Sequence, residues 1–321
     1  MDDSEKIKNI IEDYEKAQQV IEYLNLQHNE TKLSDEYLLG RKIRSTWWLR
    51  FIGIAYDIGR SIRSVPYGSW RRDNVSEFKC NIEHKETLAL YNYKIAIYTC
   101  MIGKYDHLQE PLFKPDNVDY IIVTDGHLPS SNTWRGIDVR DIKGVPPLDA
   151  SRISRYIKLH PHLFLNEYDY SIYIDANIKT VGDMRYLIYL LNQHGVIANV
   201  HRHRDCIYKE LEACIRLKKD DPQIMRRQID SYRNAAMPEH YGMIEANLLA
   251  RDHHNPACIE IMEKWWQEIE KHSCRDQLSL PFVLWKMGIS VSEIGKISDN
   301  VYKMPLIRIE PHLKSQNKKA R

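Results

Sequence analysis

The sequence predicts an α/β fold in which a sheet is flanked by helices, preceded by a helical extension. Two observations carry this. From Tyr93 onward, short apolar runs ending in turn residues alternate with helical patterns, the signature of an α/β sheet. Before that point the chain reads instead as amphipathic helices and a polar linker. At 321 residues there is room for one large domain and an appendage.

The elements follow in order. Over residues 4–30, Ile7, Ile10, Tyr14, Ala17, Ile21 and Leu24 recur three and four apart behind Ser4 as N-cap, the spacing of a coiled-coil seam. Three heptads are marginal alone, so this helix is expected either to pair with a second copy as a homodimer or to lie on the main domain. Residues 45–65 place Trp47, Phe51, Ile54, Ile58, Ile62 and Val65 on one face, with Arg50, Asp57, Arg60 and Arg63 largely outside it. That pattern suits an in-plane membrane helix and equally a helix docked on the domain. Pro66, Gly68 and the polar run after Trp70 read as a linker. Strands are then predicted over 94–103, 118–126, 134–142, 170–178, 195–205, 243–251 and 289–294. Helices are predicted over 150–160, 182–195, within 206–235, and over 255–272 and 275–288. The expected division is an N-terminal helix (1–40), a basic amphipathic helix and linker (41–92), a main domain (93–312) and a basic tail (313–321).

Composition narrows the class. The net charge of +2 hides eight Lys/Arg against one acidic residue, Asp57, between Arg41 and Arg72. The remainder is mildly acidic and offers no continuous nucleic-acid footprint. Six cysteines without a CxxC pair describe neither a disulfide framework nor a zinc ribbon. The charged N-terminus lacks an apolar leader and no window reaches 18 uninterrupted apolar residues, so a cytoplasmic protein without a spanning helix is expected.

Five features carry chemistry. Asp175-Ala176-Asn177 ends a buried strand, and strand ends at one edge of an open α/β sheet are where ligands bind. Two such oxygens suit Mg²⁺ or Mn²⁺, which takes few protein ligands and others from substrate phosphates; a plain turn with Asn177 at positive φ is the simpler alternative. Arg152, Arg155 and Lys158 form an i, i+3 stripe on the predicted 150–160 helix, able to meet Asp175 or a diphosphate, or merely to be solvated. Period two puts His201, His203 and Asp205 on one side of a strand end, a metal trio, a substrate-binding edge or surface histidines. Glu245 opens a strand that ends in His253-His254, and Asp276 stands at a helix start, where an anion is favoured anyway.

Taken together and in order, these segments resemble the glycosyltransferase-like domain shared by plant mucilage-synthesis proteins and bacterial polysaccharide-cluster proteins. The resemblance runs from Lys94 to about Gly288 through IAIYTCMIGKYDHL, DYIIVTDG, ASRISRYIKLHPH, YSIYIDANI, HRHRDCIYKE, GMIEANLLARDHHNP, WWQEI and SCRDQLSLPFVLWK. It implies a GT-A-like, Rossmann-like nucleotide-diphospho-sugar transferase fold with a mixed sheet. It further implies a base and ribose pocket lined by Thr99, Gly103, Tyr105 and Asp125, with Arg152 and Lys158 near the diphosphate and His203 at the donor. Asp175 and Asn177 would stand for the acidic metal motif, whose second member is here neutral, and His312 would supply a further ligand. Glu245 or Asp276 would bind or deprotonate the acceptor hydroxyl. The implied activity moves a sugar from a nucleotide-sugar donor such as a UDP-sugar to a glycan or lipid-linked acceptor. With the cytoplasmic reading and the basic amphipathic helix over 45–65, the expected setting is surface polysaccharide synthesis at the inner face of a membrane. Two rival readings are a metal-dependent hydrolase built on His201, His203 and Asp205 with His253 or His254, and a non-catalytic scaffold in which the N-terminal helix does the work.

Overall fold

The computed structural model describes residues 92–103, 108–126, 130–298 and 300–310. The expectations for residues 1–91 (self-association, membrane contact and linker), together with Tyr105, His312 and the 313–321 tail, lie outside the described residues.

The order of elements is β1 (Ile95–Met101), β2 (Val118–Thr124), β3 (Trp134–Asp138), α1 (Ala150–Leu159), β4 (Tyr170–Ile174), β5 (Ile178–Thr180) and α2 (Tyr186–Tyr189), then β6 (Val196–Val200), α3 (Ile207–Arg216), α4 (Pro222–Asn234), β7 (Ile244–Arg251), α5 (Pro256–Lys271), α6 (Asp276–Lys286), α7 (Val291–Ile294) and β8 (Ile307–Ile309). Six strands form one sheet in the order β3-β2-β1-β4-β7-β6, and β5 pairs with β8 in a separate ribbon. β1 to β4 run parallel to one another, while β7 is antiparallel to both β4 and β6. The predicted α/β architecture is therefore present as a mixed sheet.

Strict alternation along the central strands builds a core on each face. Ala96 and Tyr98 of β1, Ile121 and Val123 of β2 and Tyr173 of β4 face α1, α5 and α6. Ile95 and Ile97, Tyr120 and Ile122, and Ile172 and Ile174 face the other way, toward α2 and the 297–307 segment. A strand buried on both faces must be apolar at both parities, which is why 95–98 and 120–123 read as continuous apolar runs. Each such side chain contributes roughly 1.5–3 kcal/mol by leaving water.

Local chemistry sets the helix ends. Asp149 caps α1 by accepting from the Ser151 and Arg152 amides, and Pro161, lacking an amide hydrogen, cannot extend it. Asp221-Pro222 and Asn255-Pro256 open α4 and α5 with a cap followed by proline at the first helical position.

Three expectations fail for identifiable reasons. The predicted 182–195 helix reduces to the single turn of α2. Asp183 accepts from the Arg185 amide and pairs with its guanidinium, and the Val181 and Gly182 amides donate to Leu306 O, so the segment's polar groups are taken by non-helical partners. The predicted 289–294 strand is the helix α7, because Ser290 and Glu293 form a reciprocal capping box. The 195–205 strand stops at Val200: the His201 amide still donates to Met243 O, but His201 Nδ1 then accepts from the His203 and Arg204 amides and turns the chain.

Candidate active site

Because β1 to β4 and β6 point the same way and β7 is reversed, one sheet edge collects the segments after β1, β2, β4 and β6 and the start of β7. At this edge lie Gly103, Asp125, Asp175, His201 and Glu245. The structure thus places Gly103, Asp125, Asp175 and Glu245 of the sequence-predicted site at one edge, from strands far apart in the chain.

The β1–β2 end pairs the two residues expected in a nucleotide pocket. The Gly103 amide donates to Asp125 Oδ2 at 3.0 Å, and Gly103 takes φ +78, a conformation that favours glycine. An added Cβ there would come no nearer than 4.0 Å to Ala150 Cβ, so the turn abuts the start of α1. Thr99 departs from expectation. It is 0% exposed and its hydroxyl finds no hydrogen-bond partner among the described residues, which places it beneath the edge rather than in an open pocket.

Asp175 follows β4 directly, half-buried. Its amide donates to Asn247 O of β7 and its carbonyl accepts from the Ile178 amide, so Asp175-Ala176-Asn177 is the tight turn that leads into β5. Tyr173 donates its hydroxyl to Asp175 Oδ1 at 2.9 Å. Asn177 is not in the left-handed region, which among the described non-glycine residues holds only Lys218, Ala236 and His240. The positive-φ account of Asn177 is therefore corrected. Its amide instead donates to Glu310 O at 2.8 Å, and the Glu310 amide returns a bond to Asn177 O, fastening the chain after β8 to the turn.

The basic stripe on α1 exists, and its hydrogen-bond and ion-pair partners are Asp149, Asp276 and the 272–274 backbone, with Asp175 close enough to act on Arg155 and Lys158. Arg152 donates to His272 O at 2.6 Å and pairs with Asp149. Arg155 donates to Cys274 O and lies 3.5 Å from Asp276 Oδ2. Lys158 sits 2.5 Å from Asp276 Oδ2, with the two side chains only 2% and 6% exposed. Lys158 also lies 5.0 Å from the centroid of the Tyr173 ring, so the cluster underlies Asp175. Burial would raise the Asp276 carboxyl, but the charges of Arg155 and Lys158 outweigh it and hold the group well below the usual carboxylate range. The expectation of Asp276 as an acceptor base and Lys158 as a free diphosphate ligand meets this pairing: both are committed to a buried ion cluster. Arg275 adds a third positive charge facing Asp276, Asp175 is a second carboxylate felt by Arg155 and Lys158, and burial works against the Lys158 ammonium.

Glu245 is in a different state. It is 7% exposed, and burial pushes its carboxyl up, opposed by Arg202 and Arg204. It pairs in register with Asn199 across an irregularity at Ala198/Asn199, a device that re-aims side chains next to functional sites. Tyr302 connects the two acids: burial first, then the carboxylates of Glu245 and Asp175, raise its phenol. The Arg202 guanidinium stacks 4.1 Å from the Tyr302 ring centroid. Sequence reading passed over Tyr302 and Tyr173, since a lone tyrosine in the chain gives no sign of what it will face.

The histidine trio does not assemble. His201 Nδ1 is occupied by backbone amides, Asp205 pairs with His240 at 2.8 Å, and His203 approaches neither as a ligand. His253 and His254 follow the far end of β7, bonded to Leu165 O and Tyr168 O. β7 has 8 residues, so they stand roughly 25 Å from His201 at the spacing of extended chain. The residues 200–205 do line an open cleft of ≈ 530 Å³ with Tyr241, Met243 and Val291, which suits a substrate-binding edge rather than a metal centre.

The donor set at Asp175 fits a hard cation held by few protein oxygens: one carboxylate, and the Asn177 side-chain oxygen left once its amide is spent on Glu310. Among the described residues, Asp175 belongs to no group of three or more His, Cys, Asp or Glu, so substrate phosphates and water would complete such a shell.

A mixed sheet with ligand-ready strand ends at one edge defines an α/β protein whose site is shared among several strand termini. A family model described as the TOD1/MUCI70 glycosyltransferase-like domain matches residues 56–303, well over half of the chain, and the chain belongs to this family. The matched segment begins ahead of Lys94, where the sequence resemblance starts. No curated protein matches the chain. A solved structure described as the apo form of the bifunctional glycosyltransferase WbbM aligns at 13% identity and a TM-score of 0.38, over 62% of this chain and 38% of that one. This chain therefore spans well under half of that structure's length. Among the described residues no helix is long and apolar enough to cross a membrane.

Proposed function

We propose that the chain transfers a sugar from a nucleotide-diphosphate donor to a glycan or lipid-linked acceptor in surface polysaccharide synthesis, working at the inner face of a membrane. The observation that carries this is the Asp175-Asn177 turn, one strand from the Gly103–Asp125 pair on the same edge of the sheet. That spacing allows one extended ligand to touch both, with base and ribose at Gly103–Asp125 and diphosphate at Asp175. A divalent ion such as Mn²⁺ or Mg²⁺, held there by Asp175 and Asn177, would supply charge neutralisation for the diphosphate. Arg155 and Lys158 place positive charge beneath Asp175, favouring the negative charge that develops on the leaving group. Asp276 holds both side chains in place.

The acceptor reaches the site over the end of β6, where residues 200–205 line the cleft. Glu245 takes the acceptor proton: its raised carboxyl is nearer neutrality than that of Asp276 and so better matched to a general base. Tyr302, 44% exposed and backed by Arg202, offers a flat face on which a sugar ring can stack.

Calorimetric titration of UDP and then GDP, with and without Mn²⁺, tests the donor site. Metal-dependent binding to the wild type that Asp175→Ala abolishes is expected. Absence of binding by either nucleotide, or equal binding to Asp175→Ala, overturns the assignment.

A further inference from the structure

We propose a second metal site, separate from Asp175, in which Cys206, Glu239 and His240 bind a zinc-class cation that clamps the turn before β7. It stands independently of the donor site above. The ligand atoms of these three residues all lie within 4.8 Å of one another. Thiol, imidazole and carboxylate together select zinc over the hard cations that favour oxygen alone, and three protein ligands leave a fourth position for water.

The surroundings resemble those of a metal-binding histidine. His240 Nδ1 is engaged with Asp205 Oδ2 at 2.8 Å. A carboxylate on one ring nitrogen fixes the tautomer and leaves the other nitrogen as ligand, the usual support for histidine on zinc. His240 holds φ +57, a conformation a non-glycine residue keeps only when its surroundings impose it. The backbone brings the partners together: the Gly242 amide donates to Asp205 O at 2.8 Å, and Tyr208 donates its hydroxyl to Met237 O at 2.7 Å. Cys206 is 1% exposed, whereas Glu239 is exposed and the His240 ring is half-exposed. An ion can therefore enter from solvent and close on a sheltered sulfur, which gives up its proton to water on coordination.

Placed there, the cation joins the start of α3 to the turn at Glu239 and His240, five positions before Glu245 of β7. It would hold the Glu245 carboxylate in register without touching substrate.

Cobalt reports on this site directly, since only a thiolate ligand gives an intense near-ultraviolet charge-transfer band. Chelator-treated, reduced full-length protein is titrated with Co²⁺ and the bound ion then displaced with Zn²⁺. We expect a band that saturates at one equivalent, is lost in Cys206→Ser and His240→Ala, and persists in Cys274→Ser and Asp175→Ala. Asp205→Asn should keep the band but weaken affinity roughly 10–100-fold. Stoichiometric Zn²⁺ should also raise the unfolding midpoint of the wild type and not of Cys206→Ser. No band in the wild type, a band retained without Cys206, or only weak binding that does not saturate at one equivalent overturns the proposal. The wild-type titration decides even where a variant fails to fold.

Discussion

Neutralising Asp276 in Asp276→Asn keeps the side chain's shape and removes its charge, leaving Lys158 2% exposed without a close counterion. Arg155, 24% exposed, can turn toward water, but Lys158 cannot. Breaking one member of a buried pair costs about 3–5 kcal/mol, because the remaining charge is uncompensated. Against a total stability of about 5–15 kcal/mol that is a large loss, and in a domain of this size it lowers the melting temperature by roughly 6–20 °C. Urea unfolding followed by tryptophan fluorescence measures it, with Trp265 as a local reporter whose indole donates to Asp276 O at 3.0 Å. The double variant Lys158→Met/Asp276→Leu should recover most of the loss, since an apolar pair of similar volume has no charge to desolvate. A loss below about 1 kcal/mol for Asp276→Asn, the worth of an exposed ion pair, would refute the burial argument. So would a variant of unchanged stability whose kcat collapses, which would return Asp276 to the role of base.

Two further predictions test the site and its frame. Asn177→Asp would supply the second carboxylate the metal site lacks, while removing the donor that Asn177 gives Glu310 O. Tighter Mn²⁺ binding should accompany a stability loss of about 1–3 kcal/mol, read by calorimetry and urea unfolding on the same protein; weaker metal binding would place Asn177 outside the ion's shell. Burial lowers His160 to about 4 and His253 to about 3, so the unfolded chain binds more protons than the folded one below the ordinary histidine value of about 6.5. Stability is then complete above that pH and falls as pH drops toward 4, by up to about 1.4 kcal/mol per pH unit for each group; His160→Gln should flatten the slope measured between pH 6.5 and 4.5.

The sequence by itself determined the sheet. Apolar runs such as 95–98 and 120–123, and the caps and prolines at Asp149, Asp221 and Asn255, act through neighbours within a few residues, and local physics is what a pattern can carry. It also placed Asp175 at a strand end and Arg152, Arg155 and Lys158 on one helical stripe. The capping box at Ser290 and Glu293 was equally legible, and outweighed the apolar alternation that suggested a strand. Only the tertiary structure decided what these residues face. Lys158 meets Asp276 from 118 positions away, and so becomes a buried ion rather than a solvated or ligand-binding one. His201 and His253 stand at opposite ends of antiparallel strands, although the residue types alone suggested one cluster. Asn177 serves Glu310, 133 positions on. Side-chain charge is written in the sequence, but its energy depends on how much water and which counter-charges surround it, and those are set by contacts between segments remote in the chain.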